Sequence, residues 1–395
     1  MIPFNKPYLT GKEMHYMYQA VYSGKISGNG IYTKKCQSFF EDRYDLKKAL
    51  LTTSCTDALE MCALLIGIKP GDEIIVPSYT FVSTALAFVR QGAKIVFADS
   101  RGDHPGIAEE CLESLITSKT KAIVPVHYAG VACDMDKIMD LADQYNLIVI
   151  EDAAQAIEST YKEKPLGSIG HLAAFSFHET KNIISGEGGL LAINDERFVG
   201  RAEIIWEKGT NRAEFFRGEV NKYEWKDTGS SFLPSDMTAA FLWAQLENIE
   251  DIQKRRRSVW LRYHKELRSW ADYNNIRQPI VPFYASNNAH MYYLCFQREA
   301  DRQLVIDRLK LLEIHTVSHY LSLYNSTYCK QQGYDTDQEL PMSDYYSDCL
   351  LRLPLYFELE DTEQEKVIKA LTAINLKKET IITDRKHQKL VAKST

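Results

Sequence analysis

A lysine in a loop between two apolar runs is the first residue of this chain that could do chemistry. Lys181 follows an apolar strand end at Phe175-Ser-Phe177 and precedes a Gly-Glu-Gly-Gly turn at 186–189, which leads into a second apolar run. Ordinary lysines lie on solvated faces, whereas a desolvated ammonium has a lowered pKa and becomes a usable amine nucleophile. A surface hairpin whose glycines only supply positive φ angles explains the segment equally well.

A carboxylate stands at a second position suited to chemistry. Asp152 follows the apolar run 147–150 and lies just beyond the carboxyl end of that predicted strand, where α/β proteins bind ligands. Such a carboxylate can pair with a cationic ring nitrogen and keep it protonated. A helix N-cap, for which Asp is a favoured residue, is the commoner explanation of this residue taken alone.

Two further segments follow predicted strands and carry hydroxyl or aromatic side chains. Thr53-Ser-Cys-Thr-Asp57 joins a strand to a helix, and its hydroxyl and N–H groups could bind a phosphate or simply cap the helix. In Pro77-Ser-Tyr-Thr-Phe-Val-Ser-Thr84, Phe81 could stack on a flat cofactor, although aromatic side chains more often belong to the core. The sequence has no Walker loop and no G-x-G-x-x-G, which disfavours a nucleoside triphosphate or a Rossmann dinucleotide.

The order of these features along the chain is more informative than any one of them. A cradle suited to a phosphate, an aromatic side chain, a strand-end Asp and a lysine each follow a predicted strand. A lysine that can form an imine, an acid for a pyridinium nitrogen and a phosphate cradle together match the chemistry of pyridoxal 5′-phosphate. The conjunction therefore predicts an enzyme that uses this cofactor.

The elements that position these residues indicate an α/β fold. Short apolar runs alternate with amphipathic stretches from 48 to 194. Strands are predicted at 49–53, 73–77, 94–98, 122–126, 147–150 and 190–193. Continuous β-branched runs separated by helical stretches indicate a parallel sheet that is covered on both faces.

The pattern changes after Pro279, where a smaller α+β domain is predicted. A long helical stretch precedes it at about 234–270. The later strands and helices are predicted at 291–296, 301–312, 316–320, 345–352 and 361–374. We therefore expect a large domain over 1–250, a small domain over 251–376, and over 377–395 a flexible solvated tail rather than a binding arm.

The composition argues against several classes of function. The chain has 395 residues, and 47 basic against 53 acidic residues give a net charge of −6, which leaves no broad electrostatic footprint for nucleic acid. No run reaches the roughly 18 apolar residues of a membrane span, and the first residues lack the pattern of a secretory signal. Eight scattered cysteines without a C-x-x-C pair argue against a disulfide framework and a zinc site. We expect a cytoplasmic protein without a metal, a nucleic-acid partner or a membrane partner.

Specific motifs give the chain a family resemblance from about residue 1 to 375. They are Ser54-Cys-Thr56, Pro77-Ser-Tyr-Thr-Phe81, Glu151-Asp-Ala-Ala-Gln155, Phe175-Ser-Phe-His-Glu-Thr-Lys181 and Gly186-Glu-Gly-Gly189. With these motifs the chain resembles the sugar aminotransferases of the DegT/DnrJ/EryC1/StrS group. The resemblance implies the fold-type-I architecture of aminotransferases that depend on pyridoxal phosphate, with a large parallel-rich sheet domain and a smaller α+β C-terminal domain.

The resemblance also implies a role for each motif residue. Lys181 would bind the cofactor covalently and later carry a proton, Asp152 would hold the pyridine nitrogen protonated, and Gln155 would contact the ring's 3-oxygen. Phe81 would stack on the face of the ring. The residues implied to hold the phosphate of the cofactor are Cys55, Thr56 and Ser176, and Ser54 is a further expected cofactor-binding residue.

Family members are homodimers whose active sites are shared between subunits, and two positions here depart from the family pattern. Ser231 stands where many members have an asparagine that reaches the cofactor phosphate of the neighbouring subunit, and Tyr324 stands where relatives often carry a second histidine. The segment 207–233 is polar and aromatic enough to bind a diphosphate and a base, although an ordinary interface loop explains it equally well. The residues expected to contact a sugar nucleotide are Arg212, Arg217, Tyr223, His319 and Tyr320.

The resemblance implies a ping-pong reaction on a nucleotide-linked keto sugar. The segments 1–5, 124–133, 207–212 and 215–218 are most similar to members that pass an amine from L-glutamate to the 4-keto carbon of dTDP-4-dehydro-6-deoxyglucose, for surface polysaccharide synthesis. A relative with another nucleotide or regiochemistry is one alternative. A sugar dehydratase on the same scaffold is another, but those relatives replace the lysine with histidine. A non-catalytic pyridoxal-binding regulator would need a DNA-binding module, for which the first 40 residues are too short.

Overall fold

A computed structural model describes residues 1–334 and 338–377 of the chain, so most of the predicted tail at 377–395 lies outside the described residues. The strands are β1 (Lys48–Thr52), β2 (Glu73–Pro77), β3 (Lys94–Ala98), β4 (Thr120–Ile123), β5 (Ile148–Asp152), β6 (Thr160–Tyr161), β7 (Lys164–Pro165), β8 (Leu172–Ser176), β9 (Gly189–Ile193), β10 (Tyr292–Cys295), β11 (Val317–Ser318) and β12 (Leu350–Leu353). The α-helices are α1 (Glu13–Tyr22), α2 (Ile31–Tyr44), α3 (Cys55–Leu65), α4 (Ser83–Val89), α5 (Leu112–Leu115), α6 (Met135–Tyr145), α7 (Val199–Trp206), α8 (Arg212–Arg217), α9 (Asp236–Leu246), α10 (Ile249–Glu266), α11 (Arg268–Asn274), α12 (Glu299–Leu311), α13 (Thr327–Gln331), α14 (Pro341–Cys349) and α15 (Asp361–Thr372).

The large sheet has the strand order β1-β9-β8-β5-β4-β2-β3. Strands β8, β5, β4, β2 and β3 pair in parallel, whereas β9 is antiparallel to both of its neighbours. The connection from β8 to β9 consists of turns rather than a crossover helix, so β9 can only return alongside β8 in the opposite direction. The predicted parallel-rich sheet is confirmed, with β9 as its exception.

Both faces of this sheet are buried, which accounts for the continuous apolar runs in the sequence. Successive side chains along a strand point to opposite faces. On one face Ile75 and Val149 pack in a core with residues of α2, α6 and α9. On the other face Ile74 and Val76 pack in a second core with residues of α3 and α4. The ends of the strands thus remain as the place where polar side chains can gather.

A smaller antiparallel sheet, in the order β10-β12-β11, lies in the C-terminal part of the chain. Leu351 and Leu353 of its central strand pack with residues of α10, α12 and α15 in a third core. Ile2 belongs to the same core, and its amide donates a hydrogen bond to the Glu313 carbonyl at 2.8 Å. The first residues therefore pack on the small sheet, while the domain boundary at 250 and 251 stays a prediction.

The structure corrects two predicted elements. The helical stretch at 234–270 is three helices, α9, α10 and α11. The helix expected over 345–352 ends at Cys349, and Leu350–Leu353 forms β12 instead. That strand pairs with β10 on one side and β11 on the other, and these long-range hydrogen bonds override the local helical pattern.

The described residues contain neither a membrane-spanning helix nor a cluster of metal-ligating side chains. None of their helices combines the length and the apolar content that a membrane span needs. They contain no group of three or more His, Cys, Asp or Glu side chains placed to hold a metal ion.

Candidate active site

The predicted site residues of the large domain lie where several strands of the large sheet end. Asp152 is the last residue of β5, and Ser176 is the last residue of β8. Gly189, the first residue of β9, pairs with Ser176 on one side and with Thr52, the last residue of β1, on the other. The carboxyl ends of these parallel strands form the edge at which α/β proteins bind ligands.

The N-terminus of α3, which is the predicted phosphate cradle, lies at this edge. Ser54 caps the helix, and its Oγ accepts a hydrogen bond from the Asp57 amide at 3.0 Å. A Cβ on Gly189 would lie 2.4 Å from the Cys55 amide nitrogen, so only glycine allows β9 to approach the start of the helix. Thr56 Oγ1 lies 2.8 Å from Ser83 Oγ. The free N–H groups of the first turn, beside the strand that ends at Ser176, suit an anion.

Asp152 is buried, with 5% of its surface exposed. Burial raises the pKa of its carboxyl group, although hydrogen bonds to the carboxylate oppose that rise. Thr84 Oγ1 donates to its Oδ2 at 2.7 Å, and the Ala154 amide donates to its Oδ1 at 3.1 Å. A cationic ring nitrogen beside this carboxylate would stabilise its charged form. The sequence analysis does not predict a role for Thr84, although Thr84 lies in the same segment, 77–84, as the predicted stacking residue Phe81.

Lys181 lies in the loop between β8 and β9 with a partly buried side chain. Among the described residues its ammonium group has no hydrogen-bond or ion-pair partner. Burial lowers its pKa, the charge of Asp152 partly counteracts this, and Arg352 lowers the pKa further. The surface-hairpin alternative does not describe this loop, because the amine is desolvated and lies within electrostatic reach of Asp152.

The residue after Lys181 fixes the loop to the rest of the molecule. Asn182 is buried, and its Nδ2 donates to Gln253 Oε1 and to the Asn288 carbonyl, both at 2.9 Å. Its Oδ1 lies 2.9 Å from His290 Nδ1. The sequence reasoning missed this network, because its members are far apart along the chain. It ties the loop to α10 and to the segment that leads into the small sheet.

Gln155, Tyr320 and Phe81 form a connected group next to Asp152. Gln155 Oε1 accepts a hydrogen bond from the Ala129 amide at 2.6 Å, and its Nε2 donates to Tyr320 Oη at 3.1 Å. The ring of Tyr320 lies 6.0 Å from that of Phe81, and Phe81 is 55% exposed rather than part of a core. The structure thus joins Tyr320, predicted to contact the substrate, to two residues predicted to contact the cofactor.

His319 lies beside this group and is held by two tyrosines. Its Nδ1 is 3.0 Å from Tyr128 Oη, and its carbonyl accepts a hydrogen bond from the hydroxyl of Tyr79. Burial holds the pKa of the His319 imidazole well below its usual value, and the charges of Arg352 and Lys181 act in the same direction. His319 is therefore a neutral ring at pH 7.

The remaining predicted residues lie elsewhere on the chain. Arg212 and Ser231 line a surface cleft of about 470 Å³ that does not include Lys181. Arg212 lies 3.6 Å from Glu207, and Arg217 lies 2.9 Å from Glu203. The fourth residue of this group, Tyr223, is exposed and packs near Phe215. A single chain does not bring these four residues to the lysine.

The side chains at the strand ends fit pyridoxal phosphate on their own geometry. The group needs an amine for its aldehyde, an acid for its ring nitrogen and an anion site for its phosphate. Lys181 supplies an unpaired amine, Asp152 a buried carboxylate with a raised pKa, and the start of α3 free N–H groups.

Comparison with known proteins relates the chain to one enzyme family. The model of the DegT/DnrJ/EryC1/StrS aminotransferase family matches residues 7–372. The spore coat polysaccharide biosynthesis protein SpsC of Bacillus subtilis is 33% identical over 384 residues, which cover 94% of this chain and 97% of SpsC.

Solved structures show the same architecture. The candidate sugar aminotransferase Spr1654 of Streptococcus pneumoniae, in its PMP-form, has a TM-score of 0.87 and 26% identity, with 94% of this chain and 98% of that chain covered. Its PLP-form has a TM-score of 0.86. The aminotransferase TlmJ of Streptoalloteichus hindustanus also reaches 0.86, at 26% identity and with the same coverage. The predicted fold class and the family resemblance are confirmed.

Proposed function

The chain belongs to the DegT/DnrJ/EryC1/StrS aminotransferase family, and we propose that it acts as a dTDP-4-amino-4,6-dideoxygalactose transaminase. Its cofactor is pyridoxal 5′-phosphate. The amine would pass from L-glutamate to the 4-keto carbon of dTDP-4-dehydro-6-deoxyglucose and leave 2-oxoglutarate. The product would serve surface polysaccharide synthesis, such as that of enterobacterial common antigen or an O-antigen. The desolvated, unpaired amine of Lys181 beside the buried Asp152 is the observation that carries the transaminase chemistry.

Two relatives support a sugar as the amine acceptor. SpsC is named for spore coat polysaccharide biosynthesis, and Spr1654 is described as a candidate sugar aminotransferase. The specific sugar is proposed from the similarity of the segments 1–5, 124–133, 207–212 and 215–218 to transaminases of this substrate. The nucleotide and the position of the new amine depend on how the pocket orients the hexose.

The chemistry needs a group that can carry a proton between two carbons, and Lys181 is suited to this. When bound, the cofactor supplies an aldehyde that accepts the donor's amine and a ring that withdraws electrons from the reacting carbon. A lysine with a lowered pKa has a larger neutral fraction at pH 7, so its Nζ can take up a proton and release it again. The bonds that Asn182 makes to Gln253 and Asn288 fix the loop that presents this nitrogen.

Asp152 would keep the ring's nitrogen protonated, and a protonated ring is the better electron acceptor. The Thr84 hydroxyl and the Ala154 amide occupy one oxygen each and orient the carboxylate. Gln155 would hold the ring's 3-oxygen, and Phe81, exposed at the mouth of the site, would cover one face. Cys55, Thr56 and Ser176 would hold the phosphate, next to Ser54, which caps the helix.

A homodimer would complete the site from its partner subunit. Ser231 and Arg212 line a cleft away from the lysine of their own chain, which fits residues that serve the site of a second copy. In that arrangement Arg212, Arg217 and Tyr223 would contact the sugar nucleotide together with His319 and Tyr320 of the other chain. Sedimentation of the cofactor-loaded protein would give the mass of two chains. The mass of one chain would contradict the shared site.

The first test is the visible absorbance spectrum of the protein with pyridoxal phosphate, before and after L-glutamate is added. A band that shifts to that of the pyridoxamine form supports both the cofactor chemistry and the donor. The enzyme in that form is then mixed with dTDP-4-dehydro-6-deoxyglucose, and the product is identified by NMR. The UDP- and GDP-linked 4-keto sugars are the matched acceptors. Faster turnover of one of these, or an amine at C3, would contradict the proposed substrate.

A further inference from the structure

Asn288 is a fully buried asparagine in the segment that leads into β10. Its Nδ2 donates to the Gln155 carbonyl at 2.7 Å and to the Ile157 carbonyl at 2.8 Å. Its Oδ1 accepts a hydrogen bond from the His290 amide at 2.9 Å. Its own carbonyl accepts one from Asn182 Nδ2, also at 2.9 Å. Two segments that are far apart along the chain, one with Gln155 and one with Asn182, thus meet at this residue.

These contacts close a cycle of four hydrogen bonds, the Asn288 cycle, through Asn288, Asn182, Gln253 and Ile157. Asn182 Nδ2 donates to Gln253 Oε1 at 2.9 Å, and Gln253 Nε2 donates to the Ile157 carbonyl at 3.2 Å. That carbonyl also accepts from Asn288, whose own carbonyl accepts from Asn182. None of the three side chains exposes more than 5% of its surface. A buried polar network whose members all have partners makes its surroundings rigid.

Two backbone features accommodate Asn288. Gly130 has a φ of 74°, and a Cβ there would lie 2.0 Å from Asn288 Oδ1, so only glycine leaves room for the asparagine. Ala289 has a φ of 54°, which residues with a side chain rarely adopt. Its carbonyl accepts a hydrogen bond from Arg256 Nε at 3.2 Å. Strained backbone of this kind persists where its surroundings hold it in place, and it is concentrated at functional sites.

The two segments that Asn288 joins carry residues predicted to contact the cofactor. Lys181 directly precedes Asn182, and Gln155 stands three residues after Asp152, the last residue of β5. A rigid, planar cofactor can contact both segments correctly only if the spacing between them is fixed. A misplacement of about 1 Å, caused by a substitution away from the reacting atoms, can lower a rate about 100-fold.

We infer that Asn288 is a positioning residue for the transamination, an inference that rests on the proposed function. It sets the spacing between the loop that presents the Lys181 amine and the turn that presents Asp152 and Gln155. Both of its side-chain donors are used within the chain, so Asn288 acts through its neighbours and not on a ligand. Because its segment leads into β10, the same contacts connect this spacing to the small sheet.

The test compares the rate at which Lys181 attaches pyridoxal phosphate with the affinity of the protein for pyridoxamine phosphate. The second compound has the same ring and phosphate but no aldehyde, so its binding does not require a reaction of the lysine. In Asn288→Ala we expect attachment, trapped with borohydride and quantified by mass spectrometry, to slow about 100-fold. The affinity for pyridoxamine phosphate should fall less than about tenfold, because at most the hydrogen bond of Gln155 is weakened.

Asn274→Ala is the matched control for the loss of a buried asparagine. Asn274 Nδ2 donates to the Trp270 carbonyl at 2.9 Å, and its Oδ1 accepts from the Leu376 amide at 3.0 Å, both residues of the third core. This variant should have a lower melting temperature and an unchanged rate of attachment. If Asn288→Ala does not fold, Gln253→Ala carries the test, because it opens the same cycle from α10.

The double variant Asn182→Ala/Asn288→Ala shows whether the two asparagines act as one unit. Either single substitution opens the Asn288 cycle. Attachment in the double variant should therefore be at most about threefold slower than in the slower single variant, since residues of one network are not additive. A slowing equal to the product of the two single effects would mean independent residues and would overturn the inference.

The remaining outcomes separate the inference from the function on which it rests. Attachment at the wild-type rate in both Asn288→Ala and Gln253→Ala overturns the inference. A loss of pyridoxamine phosphate affinity as large as the loss of attachment rate does so too, because it indicates general damage to the site. A wild-type enzyme that attaches the cofactor but accepts an amine from none of L-glutamate, L-glutamine and L-alanine contradicts the transaminase function instead. In that case, slow attachment in Asn288→Ala would still show that Asn288 positions the lysine.

Discussion

The strand-end site and the segment 207–233 differ in how their charged side chains are held. At the strand ends Asp152 is buried and fixed by two donors, and Lys181 is desolvated without a partner. In the segment 207–233, Arg212 and Arg217 are exposed and pair with carboxylates of their own chain. The first region is thus organised for chemistry before any ligand arrives, whereas the second can exchange its ion pairs for a ligand's charges.

The functional residues of the strand-end site can be recognised in the structure of a single chain, whereas those of the segment 207–233 cannot. Preorganised groups in a buried site have perturbed pKa values, which single out Lys181 and Asp152, and Lys181 in addition has no partner among the described residues. Exposed arginines in surface ion pairs look like any solvated face, since such pairs contribute about 0–1 kcal/mol. Assigning Arg212 and Arg217 therefore requires a ligand or a second subunit.

The largest effect is expected from Lys181→Ala, which is compared with the same substitution of a lysine in the segment 207–233. Lys181→Ala should abolish transamination and the covalent attachment of the cofactor, because the amine proposed to attach the cofactor is lost. Lys222→Ala removes an exposed lysine in the segment 207–233 and should leave turnover unchanged. Borohydride reduction followed by peptide mass spectrometry identifies the attachment site. Turnover near that of wild type in Lys181→Ala would contradict the assignment of Lys181 as the residue that attaches the cofactor.

Asp152→Asn removes the negative charge of the buried carboxylate and so tests the role proposed for that charge. The amide cannot keep a ring nitrogen protonated, so turnover should fall by about 100-fold, the scale for a preorganised group in a water-excluded site. Cofactor affinity should fall only modestly, because the phosphate cradle at the start of α3 is intact. Turnover and cofactor affinity are measured on the same preparation. Unchanged turnover would remove the proposed role of Asp152.

The sequence predicts these two residues because each depends on local order along the chain. The apolar runs that became β5 and β8 are long enough to be recognised, and the side chains that follow them must lie at one edge of the sheet. Thr84 and Asn182 were missed, because their roles depend on contacts with residues that are distant along the chain. The helical pattern assigned to 345–352 placed Arg352 on a helix, whereas pairing with β10 and β11 made it part of a strand.

Gly189→Ala tests the close approach that builds the phosphate cradle. The added Cβ would lie 2.4 Å from backbone atoms of Ser54 and Cys55, which cannot move away as a flexible side chain can. The free energy of unfolding should fall by about 1–3 kcal/mol, as it does for other overpacked sites. Gly200→Ala is the matched control, because a Cβ there meets nothing within 4 Å. Equal melting temperatures for the two variants would contradict a tight cradle.

Thr84→Val removes one of the two hydrogen bonds to Asp152 and keeps the shape of the side chain. A hydrogen bond to a charged group contributes about 1.5 kcal/mol or more, so turnover should fall about tenfold, less than in Asp152→Asn. Thr84→Ser restores the hydroxyl and should restore most of the rate. If valine and serine have equal effects, the hydroxyl does not orient the carboxylate.

The smallest effects are expected when the two arginines of the segment 207–233 are replaced. Arg212 has one carboxylate at 3.6 Å, whereas Arg217 bonds Glu203 at 2.9 Å and Glu219 at 2.7 Å. A ligand would have to displace two close partners from Arg217 and only one distant partner from Arg212. Arg212→Ala should therefore raise the KM for the sugar nucleotide about fivefold, and Arg217→Ala about twofold or less. Neither should change the half-reaction with L-glutamate. The opposite order of the two KM values would show that ligand binding rearranges the ion pairs of this segment.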